Sequence, residues 1–196
     1  MIWFPVGYVQ IWHRLHPGAG YLSPTLVSTP VNSQLYLRSS LNELNDMHFR
    51  IAQQTDLADI IKMLADDPLG SQREEFSDPV KPCYLEAFNH IDADPNNEII
   101  VAADHDNRLL GFLQITYIPN LTLQGSWRAQ LEGVRVNTSK RSTGIGKALV
   151  EHAIERAKIR GCHMVQLTSN STREDALRFY QSLGFKPSHV GFKLSI

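Results

Sequence analysis

Residues 131–153 read LEGVRVNTSKRSTGIGKALVEHA, and this stretch decides how the chain is interpreted. The first six residues are typical of a β-strand, and the residues after Gly146 have helical spacing. The turn between them carries Gly144 and Gly146, which allow a ligand to approach the backbone. A strand, a glycine turn and a helix start can bind phosphate, because the first N–H groups of a helix have no intrahelical acceptor.

Two common phosphate-binding motifs do not fit this turn. A Walker A loop needs GxxxxGK followed by Ser or Thr, but Arg141 stands five residues before Gly146, and Ala148 follows Lys147. A dinucleotide fingerprint needs Gly or Ala where Leu149 stands. The basic residues of the turn favour a pyrophosphate ligand, and the alternative is a helix start with nothing bound.

Length and composition limit the classes of function. The chain has 196 residues, of which 42% are apolar, so a hydrophobic core of ordinary size can form. The formal net charge is −1, which argues against a nucleic-acid partner or an anionic membrane partner. No window of about 18 apolar residues occurs, so the sequence predicts no membrane span.

The cysteine content indicates a reducing environment. The two cysteines, Cys83 and Cys162, are far apart and lack CxxC spacing. The sequence therefore predicts neither a disulfide framework nor a metal site, and it favours the cytoplasm.

Charge is distributed unevenly along the chain. Residues 56–98 contain eleven acidic and three basic residues, whereas residues 128–193 contain twelve basic and five acidic residues. Two solvated surfaces would explain this pattern. The alternative is that the basic half binds a polyanion and the acidic half faces a cation.

Residues 1–46 do not resemble the rest of the chain. They contain no acidic residue before Glu43, and they show neither helical nor alternating periodicity. The segment is either an acid-poor leader or upstream sequence outside the functional protein, with Met47 as the start; we prefer the second interpretation. Residues 1–46 are thus predicted to be an extension that is disordered or not part of the fold, and residues 47–196 the folded domain.

From Met47 onward, apolar spacing predicts a mixed α/β arrangement. The order is strand, two helices, three strands, helix, strand, helix, and one or two short strands within Phe185–Ile196. The first helix is expected to begin at Thr55. The last is expected to begin at Ser171, where Glu174 completes a capping-box pattern.

Two motifs in the right order resemble the GNAT superfamily of acetyl-CoA-dependent N-acetyltransferases. The first is [QR]xxGxG, matched by Arg141, Gly144 and Gly146. The second is AxxFYxxxGF, matched by Ala176, Phe179, Tyr180, Gly184 and Phe185. The resemblance covers residues 47–196 and implies the GNAT-like acyl-CoA N-acyltransferase fold, a mixed sheet of about seven strands with four helices.

The resemblance also implies a site for acetyl-CoA. Relatives hold the pantetheine arm along the backbone of the strand before the turn, like an added strand, and the pyrophosphate at the turn itself. The matching positions here are Val134, Arg135 and Val136 for the arm, and Arg141, Ser142, Thr143, Gly144, Ile145, Gly146 and Lys147 for the pyrophosphate.

Two catalytic residues are implied in the same way. Glu132 matches the position of a carboxylate general base that acts through water, and Tyr180 matches a residue that points at the cofactor sulfur. A primary ammonium with a pKa of about 10.4 loses its proton at pH 7 at a cost of about 4–5 kcal/mol. To accept this proton, Glu132 would need a pKa raised by burial, or a water relay that carries the proton outward. The alternative is that Glu132 is an exposed residue at the edge of the sheet without a catalytic role.

The role of Tyr180 follows from similar numbers. A thiol has a pKa of about 8.5 and tyrosine of about 10, so full proton transfer is uphill by roughly 2 kcal/mol. A hydrogen bond to the developing thiolate is the expected role, and simple packing in an amphipathic helix is the alternative.

One position departs from the pattern of many relatives. They carry an asparagine seven residues before the tyrosine, where this chain has Arg173. The run TSNSTREDALRFY is instead similar to a bacterial subset that includes the aminoalkylphosphonate acetyltransferases. Asn170 is expected to take over the polar contact to the cofactor arm.

The resemblance implies an N-acetyltransferase that moves an acetyl group from acetyl-CoA directly to a primary amine of a small molecule or peptide. The acidic half hints at a cationic acceptor, and the similarity near Arg173 points to an anionic one. The alternative function is a non-catalytic acyl-CoA sensor, and a nucleotide-binding module is a distant third. A homodimer is compatible with this family.

Overall fold

A mixed five-stranded sheet forms the centre of the protein in the computed structural model, which describes residues 46–66 and 69–196. The strands lie in the order of the chain, and only the last pair is parallel. The mixed α/β class is confirmed. The strands are β1 (His48–Ile51), β2 (Asn97–Ala103), β3 (Leu109–Ile118), β4 (Trp127–Val136) and β5 (Cys162–Leu167).

Helices cover both faces of this sheet. They are α1 (Leu57–Ala65), α2 (Pro82–Ala93), α3 (Ile145–Ile159) and α4 (Glu174–Ser182), with 3₁₀ turns at Gln54–Asp56 and Thr138–Lys140 and a short helical turn at Thr122–Gly125. The α1 and α2 helices share one apolar cluster with β2 and β3, and α3 packs in a second cluster on the opposite face. Each face of the sheet therefore has its own core.

Two helix starts differ from the sequence predictions. The first 3₁₀ turn begins after Gln53 rather than at Thr55, because the Asp56 carboxylate accepts the Gln53 N–H at 2.7 Å and both Arg50 nitrogens at 2.6 and 2.9 Å. The α4 helix begins after Arg173, and no side chain caps it.

The predicted capping box at Ser171 is wrong because Asn170 turns the chain first. Its Oδ1 accepts hydrogen bonds from the Thr172 N–H at 3.0 Å and the Thr172 hydroxyl at 2.9 Å. This local turn delays the first helical residue to Glu174.

The predicted tail strands do not form. Residues 186–196 are exposed and have no regular structure, so the described part of the chain has five strands rather than about seven. Val190, Phe192, Leu194 and Ile196 alternate as a strand would, and each is at least 79% exposed. Alternation alone does not make a strand, because backbone groups also need a neighbouring edge to pair with.

An ion pair fastens α3 to the sheet. Arg156 donates to both carboxylate oxygens of Glu98 at 2.6 and 3.1 Å, and the Tyr117 hydroxyl donates to Glu98 at 3.1 Å. Burial, and then the Glu98 charge, raise the pKa of Tyr117 to about 12. This network links β2, β3 and α3 at the edge of the second core.

The predicted extension at residues 1–46 lies almost wholly outside the described residues. Among the helices that are described, none is long and apolar enough to cross a membrane.

Candidate active site

The strands β4 and β5 separate halfway along the sheet. Their pairing ends at Leu131 with Leu167, while β4 continues to Val136 beside β3 alone. Residues 132–136 therefore have no strand partner on one side, which we call the open edge. The predicted arm-binding residues Val134, Arg135 and Val136 all lie on it. Two carbonyls of this segment accept hydrogen bonds from side chains: Val134 from Arg135 at 3.0 Å and Val136 from Arg141 at 3.5 Å.

A glycine that the sequence analysis did not single out shapes this opening. Gly133 has φ +63° and lies at a bulge, where two β4 residues oppose one β3 residue. A Cβ there would lie 3.4 Å from the Phe112 ring, and the backbone conformation itself would be strained. A glycine inside a strand pattern was the available signal for it.

The turn before α3 presents a row of unused backbone donors. Among the described residues, none accepts a hydrogen bond from the backbone N–H groups of residues 142–147, which we call the amide turn. Gly144 has φ 95° and Ser142 has φ 65°, so the backbone changes direction within the turn. All residues predicted to hold the pyrophosphate lie in this turn, except Arg141, which directly precedes it.

Gly146 allows close packing within the protein. A Cβ at this position would lie 3.3 Å from Val136 Cγ2 and 3.5 Å from Phe179 Cζ. The first turn of α3 therefore contacts both the end of β4 and α4. This packing brings the amide turn to the end of the open edge.

The charged side chains near the amide turn already have partners. Arg141 donates to the Asp66 carbonyl at 3.2 Å and lies 3.8 Å from the Asp66 carboxylate. Lys147 lies 3.8 Å from Glu151 on the next turn of α3. Arg141 thus ties the end of α1 to the turn, and backbone donors dominate the anion-binding character of the turn.

The two predicted catalytic residues lie on different elements, Glu132 on β4 and Tyr180 on α4, where the charge of Arg135 acts on Tyr180. Glu132 lies at the start of the open edge and is exposed, so burial does not raise its basicity. If Glu132 acts as a base, it does so through a water relay. Tyr180 packs against the core cluster under α3, as Val134 and Val136 also do, and its ring centroid lies 5.9 Å from that of Phe185.

The Tyr180 hydroxyl is held as a neutral donor. Burial raises its pKa, although the positive charges of Arg135 and Arg173 act in the opposite direction. Within the described chain, no group accepts a hydrogen bond from it. A protonated hydroxyl without an acceptor beside an open backbone edge can donate to a ligand atom there.

Asn170 lies on the loop that follows β5 and is exposed. Its Oδ1 is used by the turn with Thr172. The expected contact of Asn170 with the cofactor arm therefore stays a prediction.

The arrangement is a backbone edge, a row of amide donors, a carboxylate and a neutral tyrosine around one opening. The family model for the GNAT acetyltransferases matches residues 64–185, which include all of these features. The chain belongs to the GNAT acetyltransferase family.

Relatives of this GNAT acetyltransferase differ in their described activities. A structure described as a transcriptional regulator from Bacillus halodurans has 51% identity and a TM-score of 0.74, over 76% of this chain and 99% of that chain. The glucosamine 6-phosphate N-acetyltransferase of Trypanosoma brucei brucei is 24% identical over 80% of this chain and all of that protein. The aminoalkylphosphonate N-acetyltransferase of Salmonella typhimurium is 34% identical over 34% of this chain and 44% of that protein.

Proposed function

We propose that this GNAT protein transfers an acetyl group from acetyl-CoA to a primary amine, directly and without an acetylated enzyme. The observation that carries the proposal is the row of unused N–H groups in residues 142–147 at the end of the open edge of β4. Helix-start amides suit a diphosphate, and a free strand edge suits the amide-containing pantetheine arm.

The residues present fit this coenzyme. Backbone N–H groups of the amide turn would hold its diphosphate, and the backbone of Val134, Arg135 and Val136 would orient its arm. When bound, acetyl-CoA supplies a thioester carbon that a neutral amine can attack with loss of a thiol.

Glu132 and Tyr180 divide the proton movements between them. Because Glu132 is exposed, it receives the proton of the attacking nitrogen through water and passes it to solvent. Tyr180 stays protonated at neutral pH, and its hydroxyl donates a hydrogen bond to the departing sulfur. Backbone N–H groups along the open edge are the available donors for negative charge on the carbonyl oxygen.

Direct transfer is supported by where the two cysteines lie. Cys83 is an exposed residue of α2, and Cys162 begins β5 and packs against the core. Neither is on the open edge, so no thiol is positioned to carry an acetyl group between two half-reactions.

Part of the negative charge in the acidic half of the chain is already neutralised within the protein. Asp56, Asp59, Asp66, Glu75 and Glu98 all pair with basic side chains of the protein. Two of the relatives are named for acetyl acceptors that carry a phosphate or phosphonate group. An acceptor with an anionic group is therefore favoured.

A second candidate is an acyl-CoA-binding sensor without transferase activity. It is favoured by the description of the Bacillus halodurans structure as a transcriptional regulator. Glu132 and Tyr180 at the opening argue against this reading, because a sensor needs neither group.

Purified protein incubated with labelled acetyl-CoA and a panel of amines tests the proposal. We expect label in the amine together with free thiol in equal amounts. Tight coenzyme binding without transfer to any amine would favour the sensor. Failure to bind coenzyme A would remove both candidates.

A further inference from the structure

One side-chain nitrogen of an arginine on β4 is buried without a hydrogen-bond partner among the described residues. The Nε atom of Arg128 is buried and has no hydrogen-bond partner. Within residues 46–66 and 69–196, its side chain makes no hydrogen bond, ion pair or ring contact. Arg128 as a whole is half-buried, but a buried N–H donor without an acceptor is costly, so its Nε–H calls for an acceptor that the described residues do not supply.

Arg128 lies on the sheet face opposite α3. Ala129 and Leu131 belong to the core cluster under α3, and side chains alternate along a strand. Arg128, Gln130 and Glu132 therefore share the other face. The helices α1 and α2 cover that face mainly over β2 and β3, where the first core lies.

The direct cross-strand neighbours of Arg128 are Ile118 on β3 and Met164 on β5, and this face of the sheet becomes polar two residues further along the strands. The Gln166 side chain on β5 donates to Gln130 Oε1 at 2.8 Å, and Thr116 on β3 donates to Asn97 at 2.6 Å. These residues are half-buried. We call Arg128, Gln130 and Gln166 the polar strip, and Glu132 stands at one end of it.

The anionic end of the coenzyme, its diphosphate at the amide turn, is too distant to supply the missing acceptor. Arg128 precedes Val136 by eight residues, which corresponds to about 26 Å along the strand. It precedes Glu132 by only four residues, or about 13 Å. A small molecule that reaches Glu132 can therefore reach Arg128, whereas the ligand of the amide turn lies well beyond it.

We propose that the polar strip binds the acetyl acceptor, and that Arg128 selects an amine bearing an oxyanion: a phosphate, phosphonate or carboxylate. The guanidinium offers a fork of donors to the oxyanion, while the amine lies near Glu132. This inference rests on the proposed acetyl transfer, and it names the acceptor class that the transfer uses.

The test compares amines that differ in the anionic group. The pairs are glucosamine 6-phosphate with glucosamine, 2-aminoethylphosphonate with propylamine, and β-alanine with propylamine, and putrescine serves as a cationic acceptor. We expect kcat/KM for at least one anionic amine to exceed its neutral match about ten-fold or more. The three pairs separate phosphate, phosphonate and carboxylate.

The variant Arg128→Gln removes the charge and keeps a polar side chain. We expect kcat/KM for the anionic amine to fall about ten- to hundred-fold, mainly through KM, with neutral amines changed less than about three-fold. The KM for acetyl-CoA should not change. Arg178→Gln is the matched control, because Arg178 is an exposed residue of α4 paired with Glu174.

Stability gives an independent readout. Because the unpartnered donor is costly, Arg128→Met should unfold at the same temperature as the wild type or at a higher one without acceptor. A clear loss of stability would show that the guanidinium already has a partner in the protein, and it would overturn the inference. Equal loss for anionic and neutral amines in Arg128→Gln would also overturn it.

The failure of this inference can be told apart from failure of the proposed function. Transfer to neutral, cationic and anionic amines at similar rates would retain the enzyme and exclude the oxyanion selection. If no amine is acetylated, binding of glucosamine 6-phosphate and 2-aminoethylphosphonate is measured by calorimetry. Binding that requires Arg128 would then support the oxyanion site on a sensor, and no binding would exclude it.

Discussion

A negative charge placed in the amide turn should weaken coenzyme binding without weakening the fold. Ser142 is the position for this test, because it is exposed and has φ 65°. Asp and Asn both tolerate this left-handed conformation better than most residues. The variants Ser142→Asp and Ser142→Asn thus differ only in charge.

The size of the effect follows from the charges involved. Two unit charges 4 Å apart repel by about 1 kcal/mol in water and about 4 kcal/mol near a protein surface. A diphosphate held by residues 142–147 would face the added carboxylate at a slightly longer distance, so we expect about 1–3 kcal/mol. This corresponds to a dissociation constant about 5- to 150-fold higher for Ser142→Asp than for Ser142→Asn.

The stability of the same two proteins should change in the opposite direction. An acidic residue near a helix N-terminus stabilises the helix by about 0.3–1 kcal/mol. Ser142→Asp should therefore unfold at the same temperature as Ser142→Asn or at a slightly higher one. A binding loss caused by misfolding would lower both readouts together.

The assay is calorimetric titration with coenzyme A at about 0.05 M and about 0.5 M salt, where screening should reduce the difference between the variants. Affinities within about two-fold of each other at low salt would refute the location of the diphosphate. Gly146→Asp should also weaken binding, but its Cβ would lie 3.3 Å from Val136 Cγ2, so packing and charge would change together.

Three further predictions concern the hydroxyl at the opening and two ion pairs. Tyr180→Phe should lower kcat about ten- to hundred-fold and leave the KM for acetyl-CoA unchanged, since it removes only a donor to the sulfur; steady-state thiol release measures both. Glu98→Gln should lower the free energy of unfolding by about 1–3 kcal/mol, because its bidentate pair with Arg156 is half-buried; urea unfolding measures it. Asp56→Asn should lower stability at neutral pH and flatten its acid dependence, measured by urea unfolding between about pH 7 and pH 2.

The sign of the Asp56 effect follows from its surroundings. Burial alone would raise the pKa of this carboxyl, but hydrogen bonds from Arg50 and the Gln53 backbone outweigh burial and lower it. A lowered pKa in the folded state stabilises the protein above the unfolded value of about 3.9, and the contribution is lost as pH falls through the folded value. Parallel acid curves for wild type and Asp56→Asn would contradict this.

Matched variants serve as controls for these predictions. Tyr84→Phe removes a hydroxyl that contacts Glu74 away from the opening, and it should leave kcat unchanged. Glu155→Gln and Asp59→Asn each break an exposed pair on a helix and should cost at most about 0.5 kcal/mol. Unchanged kcat in Tyr180→Phe would show that this residue only packs.

Most of the secondary structure could be predicted because it depends on local sequence. The short apolar runs NEIIVAA and LLGFLQITYI predict β2 and β3, because both faces of these strands are buried over much of their length. The helix starts at Thr55 and Ser171 were mistaken because Asp56 and Asn170 offer the backbone competing hydrogen bonds. The prediction of strands in the tail was wrong, because a strand forms only beside a neighbouring strand edge. The sequence of the tail alone does not show whether such an edge is available.

The sequence by itself determined the family, the order of strands and helices, and the turn of glycines and amides before α3, since these are local patterns of side-chain spacing. Only the tertiary structure decided what the side chains contact. Arg141 pairs with Asp66, Gly146 packs against Phe179, and β4 bulges at Gly133. The Nε atom of Arg128 is buried with no acceptor among the described residues. The physical reason is that the hydrogen-bond partners and the burial of a side chain depend on residues that are distant in the chain. The spacing of residues along one segment does not specify those contacts.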